Sequence, residues 1–232
     1  MKNSRSISGK CSKQETISGF VYLVFQFFFL PSLLSFVNGH LQRPLSESEV
    51  NFLFYLINFI AILLIFHDFL SRNLSQLGQH PILFLEAAIL GFVAYYALNW
   101  LTAKVVGLLV PSFSNYNDQA VVDLLRGNYF LTLVGTVILV PLTEETLFRG
   151  LIFRGLYGKS RPAAYIVSIL AFAIIHIIGY IGQYSALEVL MAFLQYLPAG
   201  LCLAWAYTRA DTLFAPIVIH AAINFVSINA LR

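Results

Sequence analysis

Charged residues are scarce in this chain of 232 residues. Asp, Glu, Lys and Arg together make up 11% of the sequence, whereas 59% is hydrophobic. A soluble globular domain has roughly 25% charged residues, so the composition excludes an ordinary water-soluble protein. The net charge of +3 is small. Because the basic residues lie in tails and turns, they give no sign of a nucleic-acid partner.

Cysteines are few, and regular repeats are missing. Cys11 lies in a polar tail and Cys202 in an apolar run, so the sequence predicts neither a disulfide nor a cysteine metal site. No period typical of a solenoid or of an inverted-repeat transporter is present. Strands are excluded as well, because an open sheet edge cannot be left in hydrocarbon.

Long apolar runs are what the chain has in abundance. A helix crosses a bilayer with about 20 residues, and the runs that reach this length are 18–37, 51–70, 82–102, 127–157, 162–181, 187–207 and 213–230. The less apolar stretch 103–126 is expected to form an interfacial or re-entrant helix. The sequence therefore predicts an all-α polytopic membrane bundle with about seven transmembrane helices. We expect one integral membrane domain, composed of a cytoplasmic tail (1–17), N-terminal membrane helices (18–126) and C-terminal membrane helices (127–232).

Basic segments predict the orientation of the bundle. Short loops rich in Lys and Arg stay in the cytoplasm. The N-terminal tail and the turns 158–162 and 208–211 are such segments, and all of them fall on one side when seven spans are counted. The loop 112–123, which has acidic residues and no basic ones, falls on the other side. The N-terminus is therefore expected in the cytoplasm.

Two adjacent carboxylates follow an apolar run in "PLTEETLFR", Pro141 to Arg149. Neighbouring helical residues point about 100° apart, so Glu144 and Glu145 cannot share one partner equally. Glu145 and Arg149 are spaced i, i+4 in the favoured order, which predicts an ion pair. Glu144 is then left without a partner. The segment is either a structural charge cluster or a paired acid beside an acid that is available for proton transfer.

Two later spans bring polar residues to a similar depth. Counted from the basic turns, Glu144, His176 and Asn224 each lie 13 or 14 residues along a helix, at a depth of roughly 20 Å. His220 shares a helix face with Asn224 and lies one turn nearer the cytoplasm. Each residue alone also fits a hydrogen bond between helices. The presence of a carboxylate, two imidazoles and an amide at one depth favours a functional site over simple bonds between helices.

Such a group has the parts needed to hydrolyse an acyl bond. A carboxylate and an imidazole can hold and deprotonate a water, while an imidazole and an amide can donate to an oxygen that gains charge. A metal site is the competing interpretation, because Glu144, His176 and His220 could hold zinc or another divalent metal ion with an open position. The chain has no HExxH segment.

The same residues resemble a known family. "EETLFR" is similar to the E-E-x-x-x-R motif of the CPBP intramembrane proteases, the group that contains the type II CAAX prenyl endopeptidases and the bacteriocin-processing or Abi proteins. "FAIIH", Phe172 to His176, resembles its F-x-x-x-H motif, and "HAAIN", His220 to Asn224, resembles its H-x-x-x-N motif. The resemblance covers the C-terminal half, whereas the first 125 residues match nothing in detail.

The resemblance implies a membrane-embedded endopeptidase that opens towards the cytoplasm and requires no metal or other cofactor. Glu144 and His176 would activate a water, His220 and Asn224 would stabilise the oxyanion, and the ion pair of the first motif would support the site. The expected partners are the lipid bilayer and a substrate that is a membrane-associated peptide or a lipid-modified protein. The expected location is a bacterial plasma membrane.

Two other functions fit the same residues. A non-catalytic membrane scaffold or immunity protein could bind a partner through the same cavity. A small proton-coupled transporter could use intramembrane Glu and His as a relay, with Glu86, Lys104 and Glu188 along the path. The missing repeat and the full set of motifs argue against the transporter.

Overall fold

A computed structural model describes residues 9–231, which fold into consecutive helices with no β-strand among them. In chain order the helices of this part are α1 (Lys13–Phe28), α2 (Leu30–Gly39), α3 (Glu47–Ile65), α4 (His67–Gln79), α5 (Pro81–Leu109), α6 (Tyr116–Gly127), α7 (Tyr129–Tyr157), α8 (Arg161–Ile177, prolonged by a 3₁₀ turn at Ile178–Tyr180), α9 (Ala186–Ala210) and α10 (Phe214–Leu231). The predicted all-α fold class is confirmed.

Six of the described helices are long and apolar enough to cross a membrane, namely α3, α5, α7, α8, α9 and α10. The pair α1 and α2 makes a seventh candidate span, bent by 45° where the two helices meet. The bend has a local cause, because Pro31 in the first turn of α2 has no N–H to donate to a carbonyl of α1. The chain is therefore an integral membrane protein.

The predicted span 51–70 is wrong at its C-terminal end. The helix α3 ends at Ile65, and α4 follows as a separate amphipathic helix. It buries Phe69, Leu70 and Asn73 on one face. The polar residues of α4 lie on its outer face, where lipid would leave them unsolvated. The boundary was missed because the apolar residues of α4 continue the hydropathy of α3.

The predicted helix 103–126 is also wrong in extent. Its first seven residues continue α5, which has 29 residues. That length rises about 43 Å, more than the roughly 30 Å of hydrocarbon, so the end of α5 can leave the membrane core. A separate polar helix is present, but it begins only at Tyr116.

The N-terminal segment is helical earlier than predicted. The helix α1 begins at Lys13, inside the predicted tail 1–17, and Ser12 caps it. Glu15 is buried and accepts the backbone N–H of Phe69 at 2.7 Å, and Arg72 lies 3.3 Å from its carboxylate. These bonds fasten the start of the chain to α4. Lys2 and Arg5 of the basic tail lie outside the described residues.

The basic segments meet at one end of the bundle. Arg72 donates to the backbone oxygen of Lys10 at 3.2 Å. The hydroxyl of Thr212 donates to the backbone oxygen of Asn73 at 2.8 Å, and the backbone N–H of Leu213 donates to its side chain at 2.9 Å. The turn 158–161 reaches the same place, since Gly158 adjoins Lys10. We call this the basic end, which comprises residues 9–15, 67–80, 158–161 and 208–213.

The short helix α6 lies across the opposite end. Just before its first residue, Asn115 donates to Gln195 of α9 at 2.7 Å. Near its last residue, the backbone oxygen of Leu124 accepts from Ser48 of α3 at 2.9 Å. The helix is thus fastened at both termini, to two different spans. We call this the α6 end, which comprises residues 39–48, 110–128 and 178–188.

The apolar core fills the half of the bundle towards the basic end. Phe66, Phe69, Phe153 and Leu213 are all fully buried there. The central helix α9 packs closely on α8 at Gly200, where an added Cβ would lie 3.0 Å from the side chain of Ile169. The described side chains of this half thus form a closely packed core.

Candidate active site

The helix that carries the two glutamates is distorted on both sides of them. The segments Gly135–Leu139 and Thr146–Phe153 are π-helical, and only the turn Val140–Glu145 between them is α-helical. The N–H of Val140 donates to the oxygen of Gly135, five residues back. The adjacent Pro141 has no N–H to donate, which favours such a wide turn. Turns of this kind are frequent at functional sites.

Glu145 and Arg149 form the predicted ion pair. Both side chains are fully buried, and Nη1 of Arg149 lies 3.0 Å from Oε1 of Glu145. Nη2 of the same guanidinium donates to the backbone oxygen of Gly200 at 3.2 Å. Its carbon lies 4.4 Å from the centre of the Phe172 ring. The pair therefore joins α7 to α8 and α9 while it neutralises both charges.

Glu145 has a second partner, which the sequence did not indicate. Nδ1 of His220 lies 2.9 Å from the same carboxylate oxygen. A carboxylate paired with arginine is ionised and can only accept, so Nδ1 of His220 carries the hydrogen. Its Nε2 is then an acceptor in the neutral ring and a donor only in the imidazolium. Glu145 and His220 are 75 residues apart, and no local sequence pattern predicts such a contact.

Glu144 faces His176 across a cavity. Nδ1 of His176 lies 2.8 Å from the backbone oxygen of Phe172, which can only accept. The hydrogen of the neutral ring is therefore on Nδ1, and Nε2 is an acceptor. This Nε2 lies 3.9 Å from Oε2 of Glu144, which makes no hydrogen bond within residues 9–231. The ring of Tyr196 stacks on His176 at 4.3 Å and fixes its plane. Two hydrogen-bond acceptors, Oε2 of Glu144 and Nε2 of His176, thus line the same cavity.

Asn224 is oriented by a neighbouring helix. Its Nδ2 donates to the backbone oxygen of Thr136 in α7 at 2.8 Å. A side-chain amide has two N–H groups, so one remains to donate to another oxygen. The contact lies beside the wide turn that starts at Gly135, where the backbone of α7 approaches Tyr55 closely.

Two cavities meet at the predicted residues. Cavity 1 has a volume of about 380 Å³ and includes Glu144. Cavity 2 has about 230 Å³ and lies on the α5 and α9 side. The two cavities share the residues Asn117, Val121, Thr136, His176, His220 and Asn224. The structure therefore brings together all of the residues predicted as catalytic, with Glu145 and Arg149 buried behind them.

The cavities lie in the half of the bundle towards the α6 end. Asn117 and Val121 of α6 line both of them, whereas the core closes the half towards the basic end. The N-terminal segment lies at the basic end. The start of α1 and the cavities therefore lie towards opposite ends of the bundle, and the expectation that the N-terminus and the opening of the site both face the cytoplasm stays a prediction.

The predicted metal set does not form a cluster. Within the described part of the chain, no three His, Cys, Asp or Glu side chains are placed to hold a metal ion. His220 lines cavity 1 with Glu144 and His176, but its Nδ1 is bonded to Glu145. Because no group of three ligands forms among the described residues, we derive no step through a metal ion.

The residues considered for a proton path lie outside both cavities. Glu86 pairs with Arg209 at 2.6 Å near the basic end. Lys104 lies 5.7 Å from the ring of Trp100, and Glu188 belongs to the first turn of α9 at the α6 end. The structure does not bring Glu86, Lys104 and Glu188 together, so the hypothesis of a transporter gains no support from them.

The fold and the site define an integral membrane protein whose helices enclose a carboxylate, imidazole and amide group. Residues 126–226 match the model of the family described as Rce1-like, "Type II CAAX prenyl endopeptidase Rce1-like". The matched segment contains every predicted site residue. Together with a relative named as a membrane peptidase, this match confirms the predicted resemblance to the CPBP intramembrane proteases.

Two curated proteins are similar to this chain. "UPF0177 protein YxdF" of Lactococcus lactis subsp. lactis (strain IL1403) is 27% identical over 95 residues, which are 41% of this chain and 47% of the relative. "Putative membrane peptidase YdiL" of Bacillus subtilis (strain 168) is 30% identical over 118 residues, which are 50% of this chain and 43% of the relative. The matches thus span less than half of either relative. No solved structure matches the chain.

Proposed function

We propose that this protein is an intramembrane endopeptidase that hydrolyses a peptide bond of a membrane-associated peptide or protein. One observation carries the proposal, which is the placement of Glu144 Oε2 and His176 Nε2 as two acceptors 3.9 Å apart in a cavity. The family match and the name of the Bacillus subtilis relative support the same activity.

The two acceptors suit a nucleophilic water. A water at about 2.8 Å from each of them donates one hydrogen to Glu144 and one to His176. Its lone pairs then face a carbonyl carbon placed between the two cavities. As the oxygen attacks, Glu144 takes the proton and becomes a carboxylic acid. It delivers the same proton to the leaving amine, so Glu144 ends the cycle ionised.

The oxyanion finds donors on α10. The second N–H of Asn224 is available, since Thr136 uses only the first. His220, whose Nδ1 is bonded to Glu145, donates through Nε2 when its ring is protonated. Donors held in a low-dielectric site stabilise the developing charge without reorganisation.

The activity is tested with purified protein in liposomes that contain candidate membrane peptides. Wild type is expected to release two products, and Glu144→Gln to release neither. A protein that cleaves no membrane peptide, together with a Glu144→Gln variant that keeps its full biological effect, would contradict the proposal. That outcome would favour the non-catalytic scaffold or immunity protein.

Asn224→Ala is expected to lower kcat by roughly 10²–10³, because it removes one oxyanion donor. KM should stay nearly constant, since the ground state hardly uses that bond. Asn224→Asp should be no better at neutral pH, because it replaces a donor by an acceptor. The control is Asn229→Ala on the same helix, an exposed amide outside both cavities. Steady-state kinetics measure these effects. A fully active Asn224→Ala enzyme would show that Asn224 serves only to bond one helix to another.

We also propose an orientation for the bundle. The basic end and the adjoining helix ends carry more Lys and Arg than the α6 end, and basic segments stay in the cytoplasm. On the first side are Lys10, Lys13, Arg72, Arg154, Lys159, Arg161 and Arg209, and on the second are Arg43, Lys104 and Arg126. The site then opens away from the cytoplasm. The bacterial sources of the relatives favour a plasma membrane.

Cysteine labelling checks this orientation. Gln183→Cys places a thiol at the α6 end, and Lys159→Cys places one at the basic end, both at exposed positions. Cys11 and Cys202 are replaced by Ser and Ala beforehand. A membrane-impermeant maleimide added to whole cells is expected to label the first variant, and to label the second only after lysis. The reverse pattern would show that the site opens to the cytoplasm.

A further inference from the structure

The two cavities that meet at the site differ in chemistry. The wall of cavity 1 includes the aromatic rings of Phe27, Phe54, Tyr55, Phe148 and Tyr180, beside the polar side chains of Gln26, Asn58 and Thr143. The wall of cavity 2 is rich in amides and other polar groups, with Asn99, Asn115, Asn117, Asp118, Gln195 and Ser227. Asn117 reaches both cavities, because its helix crosses them. The site therefore has a more apolar side at cavity 1 and a more polar side at cavity 2.

The reacting groups stand at the boundary between these sides. Glu144 belongs to cavity 1 alone, whereas His176, His220 and Asn224 line both cavities. A carbonyl that is attacked by the water at Glu144 and stabilised by Asn224 must lie at that boundary. The chain on one side of the cleaved bond then enters cavity 1, and the chain on the other side enters cavity 2.

We propose that the substrate is an extended peptide in which the cleaved bond separates apolar side chains, held in cavity 1, from a polar segment, held in cavity 2. This inference rests on the proposed endopeptidase activity. Aromatic walls bury apolar side chains favourably. Burying a polar group of the substrate in a membrane protein costs free energy unless the group is hydrogen-bonded. The amides of cavity 2 can supply hydrogen bonds to the backbone and side chains of the polar segment.

The class of substrate follows from this division. A uniformly apolar transmembrane segment would give no hydrogen-bond partner to the side chains of Asn99 and Asn117 in cavity 2, and a uniformly polar peptide would leave the aromatic rings of cavity 1 without apolar contacts. A site that loses its hydrogen bonds with the wrong substrate rejects it strongly. The preferred cleavage point is therefore the junction between an apolar membrane segment and a polar segment, as at the edge of a membrane anchor.

A peptide library in liposomes tests this proposal. The peptides share an apolar membrane segment and vary the residues around the junction, and the products of wild-type protein are identified by mass spectrometry. Cleavage is expected to concentrate at apolar–polar junctions. Asn99→Leu, in the wall of cavity 2, should lower kcat/KM for junction peptides roughly three- to tenfold. The reason is that Leu has a similar volume to Asn but cannot form hydrogen bonds. Asn229→Leu, outside both cavities, is the matched control.

A second pair of variants tests cavity 1. Phe54→Ala should lower kcat/KM by roughly tenfold or more for peptides with bulky apolar residues at the junction, because it removes part of an aromatic anchor site. Phe130→Ala, which removes an exposed ring on α7 outside both cavities, should change little. Cleavage without preference for a junction, or an unchanged preference in both cavity variants, would overturn the proposal and leave the endopeptidase standing. A wild-type protein that cleaves no peptide would overturn both.

Discussion

Glu144→Gln is expected to abolish peptide cleavage and to leave a folded, membrane-inserted protein. The substitution keeps the volume of the side chain and removes the base. Oε2 of Glu144 makes no hydrogen bond within the described chain, and its closest charged or basic partner is His176 at 3.9 Å. Folding therefore depends little on this carboxylate. Loss of a general base lowers the rate of a reaction by roughly 10²–10⁴. For slow peptide cleavage, a loss of this size leaves no product above the background of the assay.

Glu145→Gln is the matched control for that variant. The neighbouring carboxylate is fully buried and bonded to both Arg149 and His220. Its removal leaves a buried guanidinium without its counter-charge, so we expect a lower thermal unfolding temperature as well as a lower rate. The two variants are compared by unfolding in detergent and by cleavage in liposomes. Equal loss of folding from both would contradict the assignment of different roles to Glu144 and Glu145.

Arg149→Ala is expected to destabilise the protein by about 3–5 kcal/mol, because it leaves a buried carboxylate without its partner. The guanidinium is fully buried, and it also donates to Gly200 and stacks on Phe172. Much of this loss comes from the unpaired charge of Glu145. The double variant Glu145→Gln with Arg149→Ala should therefore lose less than the sum of the two single variants.

Arg126→Ala provides the control for the buried pair. Arg126 pairs with Asp123 at 3.3 Å on the surface of α6, where both side chains are more than half exposed. Exposed pairs contribute little to stability, so this variant should unfold almost like wild type. The unfolding of the purified variants in detergent is the measurement. An Arg149→Ala protein as stable as Arg126→Ala would show that the buried pair is not needed for the fold.

Local spacing was enough to predict part of the site. The i, i+4 pair of Glu145 and Arg149 follows from helical geometry alone, and so does the separation of Glu144 from its neighbour. Counting residues from basic turns placed Glu144, His176 and Asn224 at one level, and these residues now line one cavity. Such arguments succeed because a membrane helix has a fixed rise and a limited range of depths.

Contacts between distant segments could not be predicted in this way. The bond of His220 to Glu145 and that of Asn224 to Thr136 depend on how α10 rotates against α7. The π-helical segments on either side of Glu144 change that rotation, and the hydropathy of the sequence does not reveal them. Hydropathy likewise merged α3 with α4, because it ignores which face of a helix is polar.

The half of the bundle that holds the cavities could not be predicted, for a different reason. Depth counted from one side of the membrane does not reveal which half of the bundle is filled. The core residues Leu147, Leu151 and Phe153 close the half towards the basic end. The cavities remain in the half that α6 covers. Only the packing of the side chains distinguishes the two halves.

Removal of metal ions tests most directly the claim that Glu144 and His176 activate a water by themselves. Purified wild-type protein is dialysed against a strong chelator, and its rate of peptide cleavage in liposomes is compared with that of undialysed protein. The rate is predicted to stay unchanged, because the two acceptors 3.9 Å apart supply the base and the second hydrogen-bond partner of the water. A rate that is lost with stoichiometric zinc and restored when zinc is added back would contradict the account.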